Sequence, residues 1–269
     1  MIKDDRKVIV AYLYTKFDNT DNLLNFIRSY KKNPPGYNHE LLICYKLLNS
    51  KEISSIRRIS SKIKHIEFID SNTQNDFDFG SYKRIALRYQ NFPIFFSLGH
   101  AYPVSSLWLK KLMYHFNKKS FIGSSVSNES IFSSFKNKKK FKIIFNLKEF
   151  FFLKKNFKSF PNPHIRTINF VLYGRDYLKF IATKKFNNKK DTWIAESGLN
   201  GMTNFFINKG FNVLAVNSVG ESFTPDEFKY SETYFYKNQS KQLFSDKHSR
   251  KFDKMSFSER LLSSRNIWR

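Results

Sequence analysis

Two segments of this 269-residue chain place acid groups where they could do chemistry. The first runs Asp76-Phe77-Asp78-Phe79-Gly80-Ser81-Tyr82-Lys83-Arg84. Gly80 and Ser81 allow close backbone approach where a helix begins, and the free N–H groups there make a ready anion site. Asp78 would repel a phosphate but can hold a ribose hydroxyl or a base edge. Arg84, one turn further on, can pair with a diphosphate. A structural reading stands beside this one, with Asp78 as a plain helix cap and Arg84 as a surface charge.

The second segment is Trp193-Ile194-Ala195-Glu196-Ser197-Gly198. A carboxylate beside small residues at the mouth of a helix suits a general base that takes a proton from a sugar hydroxyl. Asp191 can share or replace that role. The structural alternative is again capping, with Glu196 and Ser197 starting a helix. Between the two segments, Pro161 and Pro163 rigidify the approach to His164 and Arg166.

Other chemistries find no support. The chain has no dinucleotide fingerprint, P-loop, zinc-protease helix or nucleophile elbow. His100, His164 and His248 are too scattered to read as metal ligands. The single cysteine, Cys44, excludes a disulfide framework and a cysteine-ligated zinc site. The balance of 47 Lys+Arg against 22 Asp+Glu, a formal +25, points to an anionic partner: nucleic acid, an anionic membrane face or a phosphate-bearing substrate. The abundance of Phe, Lys, Asn and Ile is also the usage of an AT-rich genome, which offers a second source for the charge.

The elements that must position these residues alternate. Residues 7–14 read as a buried strand rather than a signal peptide, with Thr20 or Asp21 capping a helix that stops at Asn33-Pro34-Pro35-Gly36. Strands follow at 40–48, 65–69, 93–98, 120–125, 168–173 and 211–216. Helices are expected around Ile53–Ile59, within 76–89 after a loop-like start, around Leu107–Leu112, from about Asp176, and over 199–209. Such alternation predicts an α/β fold with a mainly parallel central sheet and helices on both faces. Ligands of such sheets sit beyond the carboxyl ends of the strands, which nominates the loops 15–22, 70–81 and 99–103. No composition shift divides the chain, so 1–269 reads as one domain with an irregular tail from about 230.

The stretch 136–158 stands apart, with nine lysines and one glutamate among Phe, Ile and Leu. It reads as a core-facing helix with a solvated charged side, as a membrane-surface helix, or as an RNA contact. No segment is apolar for long enough to span a bilayer.

Taken in order, the pieces VIVAYLY, FDNTDNLLNFIRSYKKNPPGYNHELLICYK, FDFGSYKRIA, FFSLGHAYPVSSLWLKKL, GSSVSNES, FPNPHIRTINFVL, ESGLNGMTNFFINKGFNVLAV and QLFSDKHSRKF resemble bacterial sugar-nucleotide glycosyltransferases of the GT-A type. The nearer likeness is to a family-two-like group close to the rhamnan-synthesis glycosyltransferases, and it runs over nearly the whole chain. It implies a GT-A fold and transfer of a sugar from a nucleotide-diphosphate donor to a lipid-linked or surface-polysaccharide glycan. It also implies a cytoplasmic enzyme, peripheral on the inner face of the membrane. By position, Tyr12 and Tyr14 would lie near the base, and Asp76, Asp78, Gly80 and Ser81 along the nucleoside. Glu196 looks like the base of inverting members. His164 and Arg166 look like an element near the donor phosphates or the acceptor.

One departure matters. The place of the metal-binding Asp-x-Asp reads Ser97-Leu98-Gly99-His100-Ala101, which puts His100 beside the donor and offers no carboxylate to magnesium or manganese. Arg166, Arg84 or lysines would then neutralise the diphosphate, or catalysis has been lost. A basic protein that binds RNA or another polyanion is the rival reading, although no specific nucleic-acid signature is present. The glycosyltransferase reading requires Asp78 and Glu196 to share one cleft.

Overall fold

A computed structural model of the protein describes residues 7–138 and 146–269. In chain order the elements are β1 (Val8–Thr15), α1 (Thr20–Lys32), β2 (His39–Lys46), α2 (Ser50–Ser60), β3 (Ile66–Asp70), α3 (Phe77–Arg88), β4 (Pro93–Leu98) and β5 (Tyr102–Pro103). There follow α4 (Trp108–Tyr114), β6 (Ser120–Gly123), β7 (Val126–Ser127), α5 (Ile131–Lys138), α6 (Leu147–Asn156), β8 (His164–Ile165), β9 (Asn169–Tyr173) and α7 (Gly174–Ile181). The chain closes with α8 (Lys189–Ser197), α9 (Met202–Asn208), β10 (Asn212–Val216), β11 (Ser222–Phe223), a 3-10 turn at Pro225–Ser231, β12 (Phe244–Ser245), α10 (Lys247–Asp253) and α11 (Phe257–Trp268).

Eight strands form one sheet in the order β11-β10-β6-β9-β4-β1-β2-β3. The pairs β1–β2, β1–β4, β2–β3 and β6–β10 are parallel. The expected α/β architecture with a mainly parallel sheet is the one observed. Strand β9 departs from it, lying antiparallel between β4 and β6. The beginning of β9 therefore reaches the same sheet edge as the carboxyl ends of β1 and β4: the Leu98 N–H donates to the Ile168 carbonyl at 3.2 Å.

Helices cover both faces because β1 is apolar on both. Successive side chains of a strand point to opposite faces. Ile9, Ala11 and Leu13 pack in one core with residues of α3, α7 and α9, and Val8, Val10, Tyr12 and Tyr14 in the other with residues of α1, α2 and α4. Phe170 on β9 is fully buried and meets Phe96, Tyr82 and Phe121 at ring-centroid distances of 4.9, 6.0 and 5.7 Å.

Two local expectations change. Residues 189–197 form α8, so Glu196 sits in the last turn of a helix rather than at its start. Asn188 caps α8 and Asp191 completes the capping box, so the missed signal was an Asn-x-x-Asp pair ahead of a short apolar run. The tail from 230 is also more regular than its weak periodicity suggested. Asp246–Ser249 and Ser256–Glu259 form capping boxes that start α10 and α11, and β12 pairs antiparallel with β5. Residues 139–145 of the basic stretch 136–158 lie outside the described residues. Within α6, Leu153 is buried and packs with Phe132 and Phe157, while Lys148, Lys154 and Lys155 face solvent. Among the described residues no helix is long and apolar enough to cross a membrane.

Removing the Phe170 ring leaves a cavity where the central strands meet. Phe170→Ala is expected to cost about 3–5 kcal/mol in urea unfolding at unchanged slope. A loss under about 1 kcal/mol would show that β9 is not packed as described.

Candidate functional site

A cavity of about 380 Å³ opens at the carboxyl edge of the sheet. Leu13 and Thr15 from the end of β1, Leu98 at the end of β4 with Gly99 and His100 after it, and Thr167 and Ile168 before β9 form its floor. Phe77 and Asp78 of α3, Lys189 and Glu196 of α8, and Lys247 and His248 of α10 form its walls, with Arg166, Lys46 and Asp18 between them. Asp78 and Glu196 thus face one cleft.

The floor tolerates no extra atom at Gly99. A Cβ there would lie 2.6 Å from Asp18 Oδ2 and 2.7 Å from the Leu13 carbonyl. Asp18 is fixed by Thr15, whose backbone N–H donates at 3.0 Å and hydroxyl at 2.9 Å, and by the Asn22 amide at 3.3 Å. Burial pushes the Asp18 carboxyl up, and those hydrogen bonds offset only part of it. The His100 ring is half-buried, and burial lowers it to about 4, so it is neutral at pH 7. Its Nδ1 is buried without a partner among the described residues.

Arg166 is 6% exposed and is held from three sides. Its Nη1 donates to Asp246 Oδ2 at 2.7 Å and to Ser125 Oγ at 2.9 Å. Its guanidinium carbon lies 3.6 Å from the centre of the Tyr234 ring. Burial opposes the guanidinium charge, but Asp246 outweighs it and raises Arg166 further. Burial would likewise push the Asp246 carboxyl up, yet the Arg166 charge and hydrogen bond hold it well below the usual range. Among the described residues the hydrogen bonds of this guanidinium all leave from Nη1, so Nε and Nη2 remain for a ligand.

Glu196 is similarly half-used. Its Oε1 accepts from the Thr167 backbone N–H at 2.8 Å and from the Thr167 hydroxyl at 3.2 Å. Among the described residues Oε2 takes no hydrogen bond. Asp78 lies in the first turn of α3, half-buried. Burial raises its carboxyl, Lys189 opposes that, and the Glu196 charge adds to it.

The remaining residues picked from sequence have other employment. Arg84 does not line the cavity. Its Nε and Nη2 donate to Asp70 at 2.6 Å each, and its Nη1 donates to Asp76 at 2.7 Å. Ser81 Oγ also donates to Asp70, at 2.5 Å, and Lys46 is bound to Asp76. This cluster ties α3 to the ends of β2 and β3, and Asp76 serves it rather than capping α3. Gly80 is required because a Cβ there would fall 1.9 Å from the Asp76 carboxylate. Tyr12 and Tyr14 point to the α1 face, because the strand period that turns Leu13 and Thr15 to the cavity turns them away. The Tyr12 ring stacks on Phe26 at 4.0 Å and its hydroxyl donates to the Gly99 carbonyl beneath the floor. Asp191 accepts from the Asn187 and Asn188 N–H groups at 2.8 and 3.1 Å and does not line the cavity. His164 lies outside this cavity too, its Nδ1 bound to the Asn162 carbonyl at 2.8 Å.

Sequence reasoning missed Asp18, Lys46, Lys189, Lys247 and Asp246. Asp18 lies within the nominated loop 15–22, but the others carry no local signal. Among the described residues no group of three or more His, Cys, Asp or Glu could hold a metal ion. The carboxylate nearest the Gly99 turn, Asp18, is already committed to Thr15 and Asn22. This donor set does not fit a hard divalent cation, which wants several oxygen ligands.

No described protein family and no curated protein matches the sequence. Among solved structures the chain is similar to a mannosyltransferase from Pyrobaculum calidifontis in complex with GDP-Man and Mn2+, at 9% identity and a TM-score of 0.43, covering 70% of this chain and 51% of that one. It is similar to the WbbM bifunctional glycosyltransferase at 10% identity and a TM-score of 0.43, covering 98% of this chain and 45% of that one. A third is the mannosyltransferase Ktr4p from S. cerevisiae in complex with GDP, at 8% identity and a TM-score of 0.36, covering 70% and 60%. The chain thus spans about half the length of the first two. None of these likenesses assigns a residue here.

The Arg84 cluster makes a prediction about acid. Burial works against the Asp76 carboxyl, but Arg84 and Lys46 outweigh it and lower Asp76 to about 2. The stability from this group is therefore present above the unfolded value of about 4 and is lost as pH falls towards 2. Arg84→Met leaves two carboxylates short of a partner and is expected to cost about 3–5 kcal/mol at pH 7. The gap between the two proteins should narrow as pH falls from about 6 to 3, because the variant's carboxyls protonate first. An equal gap at both ends, read by urea unfolding, would show that the ion pairs are not its source.

Proposed function

We propose that this protein is an inverting GT-A-type glycosyltransferase that takes a sugar from a nucleotide-diphosphate donor. The acceptor is a hydroxyl of a lipid-linked or surface-polysaccharide glycan. The observation that carries the reading is the meeting of Asp78 and Glu196 in one cavity with Arg166, Lys189 and Lys247, at the carboxyl ends of the parallel strands. The resemblance of the ordered sequence segments supports it independently.

In this reading Asp78 binds a hydroxyl or base edge of the nucleoside, and Arg166, Lys189 and Lys247 face the diphosphate. The free Oε2 of Glu196 takes the proton from the acceptor hydroxyl while Thr167 holds Oε1. The acceptor oxygen bonds to the anomeric carbon from the face opposite the leaving group. The bond from that carbon to the phosphate oxygen breaks, and its electron pair leaves with the nucleoside diphosphate. Arg166, held by Asp246 and Ser125, and the exposed Lys189 and Lys247 stabilise that developing charge. In this reading they take over the charge stabilisation that a metal ion supplies in enzymes with Asp-x-Asp. His100, neutral and beside Gly99, lines the donor side without adding charge.

The protein works at the inner face of a membrane. Leu147 and Phe151, one turn apart on α6, are 47% and 60% exposed beside Lys148, Lys154 and Lys155. Basic residues near an anionic leaflet gain about 1 kcal/mol each.

Three outcomes follow. Glu196→Gln should lower turnover by about 10²–10⁴-fold while nucleotide diphosphate still binds by calorimetry. Turnover near that of the wild type would remove Glu196 as the base. Activity should survive EDTA; loss on chelation, restored by manganese, would return the leaving-group role to a metal. Replacing Lys148, Lys154 and Lys155 by Gln should release the protein from phosphatidylserine vesicles in a flotation assay. Unchanged flotation would return this face of α6 to solvent.

A further inference from the structure

A second cavity, of about 260 Å³, lies on the other side of Glu196 and Arg166. It shares Glu196, Arg166 and His248 with the donor cleft, and its own walls include Trp193, Tyr234, His164 and Glu129. We infer that this chamber holds one pyranose ring of the acceptor, stacked against Trp193 with its hydroxyls bound by Glu129 and His164, so that one hydroxyl meets Glu196. The inference rests on the glycosyl-transfer reading and names the substrate subsite of that site.

The placement of Trp193 follows from α8. It precedes Glu196 by three residues, so ring and carboxylate lie on one side of the helix. The chain has three tryptophans, and the other two, Trp108 and Trp268, are buried at 0% and 4% exposure. The rear of Trp193 packs on the cluster formed by Phe132, Leu153 and Phe157, which fixes the ring. Tyr234 opposite is 8% exposed and locked by the Arg166 guanidinium against it. Both faces of Tyr234 are covered, by Arg166 and by Phe235, so the face of Trp193 is the one that suits the apolar C–H face of a sugar.

The polar groups suit its rim. A carbonyl can only accept, so the His164 Nδ1 that meets the Asn162 carbonyl carries a proton, and among the described residues Nε2 makes no hydrogen bond and is left for a sugar hydroxyl, which can donate or accept. Glu129 uses Oε1 for the Ser134 hydroxyl at 3.2 Å, and among the described residues Oε2 takes no hydrogen bond. Glu129 and Glu196 thus offer acceptors to hydroxyl donors, and His164 Nε2 adds a further hydrogen-bonding position. The chamber sets Glu129 and Glu196 against Arg166 and no lysine, whereas the donor cleft adds Lys46, Lys189 and Lys247, so a phosphate is favoured in the cleft over the chamber. At about 260 Å³ the chamber has room for a single ring, with the rest of the acceptor glycan outside it.

The test uses the full chain with saturating GDP or UDP and a panel of methyl glycosides of glucose, galactose, mannose and N-acetylglucosamine. Binding is read by saturation-transfer NMR and by quenching of tryptophan fluorescence. At least one glycoside should bind the wild type. Trp193→Ala should weaken it about tenfold or more, and Glu129→Gln several-fold. Nucleotide-diphosphate affinity within about twofold of the wild type serves as the control for folding. Glycoside binding unchanged in both variants overturns the inference, as does a wild type that binds nucleotide diphosphate and no glycoside. A wild type that binds no nucleotide diphosphate overturns the donor reading, and this inference with it.

Discussion

The buried pair between Arg166 and Asp246 is the contact on which the site depends. It joins the loop before β9 to the tail that carries α10, two segments eighty residues apart in the chain. Such pairs add little net stability, because the desolvation of two ions offsets most of their attraction. Their effect here is positional. The pair sets a permanent cation in the cavity wall, holds Tyr234 under it, and brings Lys247 and His248 over the cleft. Asp246 also caps α10, accepting from the His248 and Ser249 N–H groups at 2.6 and 3.1 Å, so the carboxylate that neutralises Arg166 also starts the helix.

The acid groups divide into two kinds. Asp70, Asp76 and Asp246 are saturated by arginine, lysine and hydroxyl donors and are lowered against the pull of burial. They hold elements together. Asp18 and Asp78 are raised by burial, and Asp78 faces Glu196 across a shared space. A cleft that keeps incompletely satisfied carboxylates beside lysines has charge left for a ligand, which is where functional sites are expected. The Arg84 cluster, by contrast, is structural, although its sequence context drew attention first.

The basic stretch divides in the same way. Within α6, Leu153 supports Trp193 from behind, and Lys190 of α8 is bound to Glu149. This surface helix therefore bears on the geometry beside Glu196 as well as on any membrane contact. A lysine-rich composition alone could not separate the two.

The sequence by itself determined the layers. Apolar runs at β1, β2 and β4, with helices between them, specify a sheet covered on both sides, because both faces of each strand are apolar. It also singled out Asp78 and Glu196 by their place beyond strand ends and in the resembling segments, and the structure brings both to one cavity. It did not reveal which side of β1 faces the cleft, so Tyr12 and Tyr14 were drawn to the base while Leu13 and Thr15 line the cavity. It did not reveal that Arg84 is consumed by Asp70 and Asp76, since carboxylates distant in sequence compete for the same guanidinium. The direction of β9 and the return of the tail to Arg166 belong to tertiary structure alone. Strand direction is set by which edge its neighbours leave open, and a buried charge finds its partner only when the chain has closed around it.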